Sequence, residues 1–162
     1  MILSNYWKFK NSLDTQAQDN NTVMNGMVSI TGEAAGIALG DNSCIVNYKF
    51  DNALIYKFGT GSNEYSSDAY ALANDITSSI GNVSVSFNSS GNDTLSRIFS
   101  FSGTNTSESE ITITEVGIVK RVGEYANMGK TNDILMAICQ LTNPVTVPAS
   151  GSFQIPVNWI EQ

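Results

Sequence analysis

The 162-residue chain contains no histidine. That absence removes Ser–His and Cys–His nucleophilic pairs, the histidine general base and the commonest zinc ligand. Positive charge is scarce too. Eight lysines and arginines are scattered against fifteen acidic residues, giving a net charge of −7. Nucleic-acid binding needs clustered positive charge, so no nucleic-acid partner is expected. Charged residues of all kinds make up 14% of the chain, where about a quarter is usual. Asn, Ser and Thr must therefore cover much of the surface. No apolar run approaches the roughly 20 residues that cross a bilayer as a helix. The opening MILSNYWKFKNSLD lacks the basic start and long apolar run of a secretory signal, and no membrane partner is expected. There are two cysteines. Cys44 opens the run Cys44-Ile45-Val46, and Cys139 lies inside the run from Ile134 to Leu141. Both read as buried free thiols behaving as small hydrophobes, because a chain of this size needs no disulfide staple. A Cys44–Cys139 bridge is the alternative.

What is present is alternation. The segment MVSIT from Met27 sets Val28 and Ile30 against Ser29 and Thr31. CIVNYKF and ALIYKF read as two strands joined at Asp51-Asn52. In NVSVSFN, Val83, Val85 and Phe87 share a face. In TLSRIFSFS, Leu95, Arg97, Phe99 and Phe101 do, and the turn residues 89–93 make these two runs a hairpin. ITITEVGIV follows. The last run places Phe153, Ile155, Val157 and Trp159 on one face and Pro156 on the other. A proline there has no N–H to donate, which marks an edge strand. ILMAICQL is apolar at nearly every position. That suits either a central strand covered on both faces or a buried helix, and its β-branched residues and the following Pro144 favour the strand. Short strands with turns every 8–12 residues predict an all-β fold, an antiparallel β-sandwich of Ig-like or jelly-roll-like type.

Three segments lie outside this pattern. The first fourteen residues crowd Tyr6, Trp7 and Phe9 between lysines. Leu3, Trp7 and Lys10 share a helical face there, so a short helix is expected, too short to stand alone. Residues 14–25 are polar and read as a linker. The chain thus divides into an aromatic N-terminal anchor segment with its linker, residues 1–25, and a β-sandwich domain, residues 26–162. The small residues from Gly32 to Gly40 read as turn or coil. Ser67 or Asp68 caps an expected short helix over DAYALANDI.

Candidate chemistry is sparse. Glu108 and Glu110 read as a solvated polar connection. In ITITEVGIV, Ile111 and Ile113 share a face with Glu115, whereas Val116 and Ile118 lie on the other. A β-bulge at Glu115, Val116 and Gly117 would restore the core face, with Glu115 a structural carboxylate accepting backbone N–H bonds. Met128-Gly129-Lys130-Thr131 resembles the end of a P-loop, but Gly123 is one residue too distant, so it reads as a turn. Sequons at Asn20, Asn82, Asn88, Asn92 and Asn105 follow from the abundance of Asn, Ser and Thr. The Asp-Asn pairs read as turn formers. No catalytic residue, metal ligand or cofactor is expected, and the chain reads as no enzyme. The strongest interaction candidates are Tyr6, Trp7 and Phe9, as a partner-docking anchor or as a lid on the sandwich.

Several short elements occur in a suggestive order: Asn5-Tyr6-Trp7, Gly59-Thr60-Gly61 followed by Asp68-Ala69-Tyr70-Ala71-Leu72, then Thr114-Glu115-Val116-Gly117, then the run from Leu141 through Pro144, Val147, Pro148 and Gly151 to Phe153. In that order the chain resembles β-sandwich virion structural proteins of tailed bacteriophages, including gut crAss-like phages. Similar proteins often carry an arginine where this chain reads Ala137-Ile138-Cys139. The resemblance implies a non-enzymatic structural protein located in the virion and assembled in the bacterial cytoplasm. It implies an accessory or decoration protein on the capsid surface, or the attachment base of a head fibre. The alternative is a tail or neck component, or a receptor- or glycan-binding module of a tail fibre, which exposed loop aromatics such as Tyr65 or Tyr125 would serve. Implied partners are other virion proteins and further copies of the chain, as a homo-oligomer, with a host-surface glycan under the alternative. The edge marked by Pro156 offers a neighbour a place to add on.

Overall fold

The alternating runs form eight strands in a computed structural model that describes residues 1–9, 23–38, 54–62, 64–88, 96–123 and 131–160. A short helix, α1, covers residues 4–9. The strands are β1 (Val23–Val28), β2 (Ala34–Ala38), β3 (Leu54–Gly59), β4 (Ile80–Asn88), β5 (Ser96–Asn105), β6 (Ile111–Gly123), β7 (Thr131–Val147) and β8 (Ser152–Ile160). They form a β1-β2 pair and two three-stranded sheets, ordered β3-β6-β7 and β4-β5-β8. This is the expected antiparallel all-β sandwich with a short N-terminal helix.

The chain forms two compact units. One comprises Met1–Lys57, Asn63–Leu72 and Gly117–Ile138; the other comprises Phe58–Ser62, Ala73–Val116 and Cys139–Gln162. Strands β3, β6 and β7 contribute residues to both.

In the second unit the predicted alternation holds closely. Phe153, Ile155 and Val157 are buried, and Ser152, Gln154, Pro156 and Asn158 are exposed. Strand β5 buries Phe99 and Phe101. It pairs with β8 without interruption from Ser96↔Ile160 to Thr104↔Ser152. Phe58, at the end of β3, packs edge-on against Phe101 at 6.3 Å and Phe153 at 5.4 Å. Phe99 stacks on Phe101. These rings close the two sheets on each other within this unit. Placed at the edge of its sheet, β8 fits the reading of Pro156. The hairpin of β4 with β5 is present, and its turn, residues 89–93, lies outside the described residues.

Val83 departs from expectation, being 39% exposed. The β4–β5 register shifts between Gly81 and Ser84, where Asn82 adopts φ 51°. One residue in the left-handed region displaces the alternation, and asparagine tolerates that conformation better than most residues.

The first unit is built around Leu3, Leu72, Val119, Leu135 and Ile138, with Ile30, Ile55, Tyr65 and Ala69 partly buried against them. Here three expectations are corrected. Of the linker expected over residues 14–25, residues 23–25 belong to β1 and the rest lies outside the described residues, and the turn or coil expected over residues 32–40 contains β2. The cause is the turn between them. Ser29 N–H donates to the Glu33 carbonyl and Gly32 N–H to the Ser29 carbonyl, both at 2.9 Å, while Glu33 N–H donates to Ser29 Oγ. Gly32 takes φ 83°, open to glycine without steric cost. Pairing across this turn overrides the weak strand preference of Ala and Gly.

The helix expected over residues 68–76 does not form. Its backbone is spent elsewhere: Thr60 N–H donates to the Asn74 carbonyl, and Ile76 N–H to the Phe58 carbonyl. Only a single 3-10 turn, Thr77–Ser79, follows. A helix of that length has little stability of its own to oppose these bonds.

ILMAICQL lies in β7, and residues 134–138 are buried throughout. Strand β6 is likewise buried at every position from Glu115 to Lys120. Cover on both faces accounts for the apolar residues on both sides of the phase slip. The strand and turn expected over residues 44–53, and the P-loop-like residues 128–130, lie outside the described residues.

Candidate functional site

The expected anchor residues are turned inward. Leu3 is fully buried, Tyr6 and Phe9 nearly so, and Trp7 is half-buried. The buried side of α1 carries Asn5, Tyr6 and Phe9, so the anticipated grouping of Leu3 with Trp7 is only partly realised. Trp7 stands edge-on to Tyr6 at 5.2 Å. Ahead of the helix, residues 1–3 run antiparallel to β7, with Ile2 opposite Ala137. Leu3 N–H donates to the Met136 carbonyl at 2.9 Å, and Ile138 N–H to the Met1 carbonyl at 3.0 Å. The Met1 ammonium donates to the Ile138 carbonyl at 2.6 Å, and Asn5 Nδ2 to the Leu135 carbonyl at 3.3 Å. The Lys120 ammonium, fully buried, lies 5.9 Å from the centre of the Phe9 ring. That distance suits a cation–π contact, strengthened where water is excluded.

Glu115 is fully buried. Its Oε1 accepts the Gly61 N–H at 3.3 Å, as a structural carboxylate was expected to do. A Cβ on Gly61 would stand 2.6 Å from Oε1, and one on Gly59 would stand 2.8 Å from Cγ. Beside it, Thr114 Oγ1 donates to the Gly61 carbonyl at 2.6 Å. The two glycines thus leave room for a carboxylate where side chains would stand. Val116 and Gly117 are buried in the same strand, and a Cβ on Gly117 would meet Leu135 Cδ1 at 3.0 Å.

A second joint was not anticipated from the sequence. Asn105 is fully buried. Its Nδ2 donates to the carbonyls of Ser109 at 2.8 Å, Val147 at 3.1 Å and Pro148 at 3.1 Å. Its Oδ1 accepts from Ser107 N–H and Ser107 Oγ. The amide of this sequon is therefore engaged inside the fold. The available signal was a strand-end Asn two residues before Ser, the pattern of an Asx-turn. Next to it, Gly151 N–H donates to the Pro148 carbonyl, forming the tight turn that leads into β8.

The remaining candidates are quiet. Glu108 and Glu110 are exposed. No group of three or more metal-ligating side chains occurs among the described residues. No helix among them is long and apolar enough to cross a membrane. Tyr65 is half-buried against the first unit's core, and Tyr125 lies outside the described residues. Arg121 donates to both carboxylate oxygens of Asp133, at 2.8 and 2.9 Å. Hydrogen bonding to Asp133, helped by its charge, holds the guanidinium above its ordinary range. The Arg121 side chain is half exposed, so Arg121→Ala is expected to cost at most about 1 kcal/mol in a urea unfolding curve.

Cys139 is a free, half-buried thiol. Burial pushes its pKa up. The thiolate is the reactive form. In a Cys44→Ser background, the folded protein should label with a thiol reagent more slowly at pH 8 than the urea-unfolded chain; equal rates would contradict the shift. Because the raised pKa favours the protonated thiol in the folded state, this group's contribution to stability is present below the unfolded thiol pKa. It is lost as pH rises through the unfolded value toward the folded one.

Comparison with family models, curated proteins and solved structures gives no match for this chain.

Proposed function

We propose that this chain is a structural subunit of a tailed-bacteriophage virion: an accessory or decoration protein on the capsid surface, or the attachment base of a head fibre, acting by non-covalent assembly. The observation that carries this reading is that the short elements of the resemblance coincide with packing joints. Asn5 holds the Leu135 carbonyl. The glycine pair at 59 and 61 receives Glu115. Leu72 enters the first unit's core. The run ending at Phe153 supplies the carbonyls that hold Asn105. Residues spent on holding strands together suit a subunit whose work is to present a rigid surface. The absence of histidine and the neutral polar side chains on the exposed face of β8 support the same reading.

The test is physical association. Particles banded on a density gradient from a producing culture should carry the chain in the particle band, resistant to a high-salt wash. Recovery of the chain only at the top of the gradient would sink the proposal.

A further inference from the structure

The sheet β4-β5-β8 has two edge strands, and they differ in what they offer a neighbour. Two bonds fix which backbone groups face outward. Asn105 N–H donates to the Gly151 carbonyl at 2.8 Å, and Thr106 N–H to the Ser79 carbonyl at 2.9 Å. Antiparallel ladders alternate, so odd-numbered residues of β5 bond β8 and even-numbered ones bond β4. The β5–β8 register runs unbroken from Ser96↔Ile160 to Thr104↔Ser152. The outward backbone groups of β8 therefore belong to its even-numbered residues, and Pro156 is one of them. Its missing N–H falls in the middle of that edge, a device that discourages strand addition.

The other edge has no such guard from Ser84 to Asn88. Here β4 follows β5 in regular register, from Ser84↔Ser102 to Asn88↔Ile98. Ser84, Ser86 and Asn88 bond β5, and Val85 and Phe87 turn their N–H and C=O groups outward. Among the described residues no backbone group meets them. The register shift between Gly81 and Ser84, where Asn82 takes φ 51°, bounds this stretch on one side. The stretch holds no proline and no charged residue. Ser84 and Ser86 are exposed, and Val85 is half-buried, so part of its apolar surface lies open at the edge.

We infer that β4 of a second copy occupies this edge, antiparallel, about a two-fold axis at Ser86. Outward N–H and C=O groups at every second residue recognise an extended strand. With the axis at Ser86, Val85 of one copy lies opposite Phe87 of the other, and Phe87 opposite Val85, so each outward donor meets an acceptor. The contact is isologous and continues the sheet as β8-β5-β4-β4-β5-β8. Charge selects the same occupant. The chain carries a net charge of −7, so two copies repel where their acidic residues meet, and an uncharged strip is where they can approach. The side chains match as well. Ser84 and Ser102 already join hydroxyls across the β4–β5 ladder at 2.7 Å, and Ser86 meets its own copy on that exposed face. The inference rests on the assembly reading for its purpose, but it is tested on purified protein alone.

On that axis Ser86 faces its own copy between two bonded pairs. Such non-hydrogen-bonded positions have Cα atoms about 4.5 Å apart, inside the span of a disulfide. In a Cys44→Ser, Cys139→Ser background, the Ser86→Cys chain is purified and oxidised with oxidised glutathione. The expected product is a dimer linked through residue 86 of both copies, mapped by mass spectrometry, at severalfold the yield of the Gln154→Cys chain. Gln154 is exposed on the same face, but its two copies would stand five strand spacings apart, about 24 Å or more. Sedimentation of the unsubstituted protein should show a concentration-dependent dimer. Ser86→Asp sets like charges across the axis and should raise the dimer dissociation constant roughly tenfold, whereas Gln154→Asp should leave it unchanged. Both side chains are exposed, so circular dichroism should show each variant folded. A protein that sediments as a monomer throughout, equal disulfide yields at residues 86 and 154, or a dimer indifferent to Ser86→Asp each overturns the inference. The dimer in a chain that never enters particles would leave this contact standing and remove the virion reading, so the two fail separately.

Discussion

Gly59→Ala is expected to lower the unfolding free energy by about 3 kcal/mol, read from the urea midpoint with the slope unchanged. The new methyl group would stand 2.8 Å from Glu115 Cγ and 2.9 Å from Cδ. Glu115 is fully buried and sits in a packed strand, so it has little room to retreat. Moving it also threatens the bond from Gly61 N–H to Oε1, and a buried donor left without its acceptor costs about 1–3 kcal/mol more. The effect should depend on its partner. In a Glu115→Ala background the obstructing carboxylate is gone, and adding Gly59→Ala should cost about 1 kcal/mol or less. A coupling of about 2 kcal/mol between two residues 56 positions apart in sequence would identify the joint as a unit. Additive effects would show that the glycine serves backbone conformation alone.

Asn105→Ala should cost about 3 kcal/mol by the same measurement, although it removes only a small side chain. The amide engages five groups: three carbonyls through Nδ2 and both Ser107 N–H and Oγ through Oδ1. Alanine leaves the buried Val147 carbonyl, and the part-buried carbonyls of Ser109 and Pro148, without this donor, at the place where β7 ends and the turn to β8 begins. Asn105→Asp is the sharper variant. It keeps the acceptor for Ser107 but sets a carboxylate oxygen against three carbonyl oxygens. Its folded-state pKa should therefore rise, since the protonated acid alone can donate to a carbonyl. A raised carboxyl pKa favours the protonated folded state, so this variant should regain stability as pH falls from 7 toward about 4. Asn105→Ala should show no such recovery.

These joints explain where the sequence was readable. Strands β5 and β8 obey a period of two because one face packs on rings and the other meets solvent; Phe99, Phe101, Phe153, Ile155 and Val157 could be placed from that alone. Strand β7 was legible through its unbroken apolar run. Alternation fails where both faces are covered, as from Glu115 to Lys120. The phase slip there falls in a run buried at every position, and that burial explains why both faces are apolar. The missed elements were those decided at a distance. The Ala-rich segment ending at Ile76 has helical composition, yet bonds to Phe58 and Thr60 claim its backbone. Strand β2 is built from Ala and Gly and exists because a turn at Ser29–Glu33 delivers it to β1. Asn105 was read as part of a sequon because nothing local shows that Val147 and Pro148 return to it.

Particles purified by successive density gradients and quantified by mass spectrometry against their major capsid protein test the structural role most directly. The assembly reading predicts a fixed number of copies per particle, constant between preparations and retained through high salt. A chain absent from the particles, or present at a ratio that falls with each gradient, would contradict it.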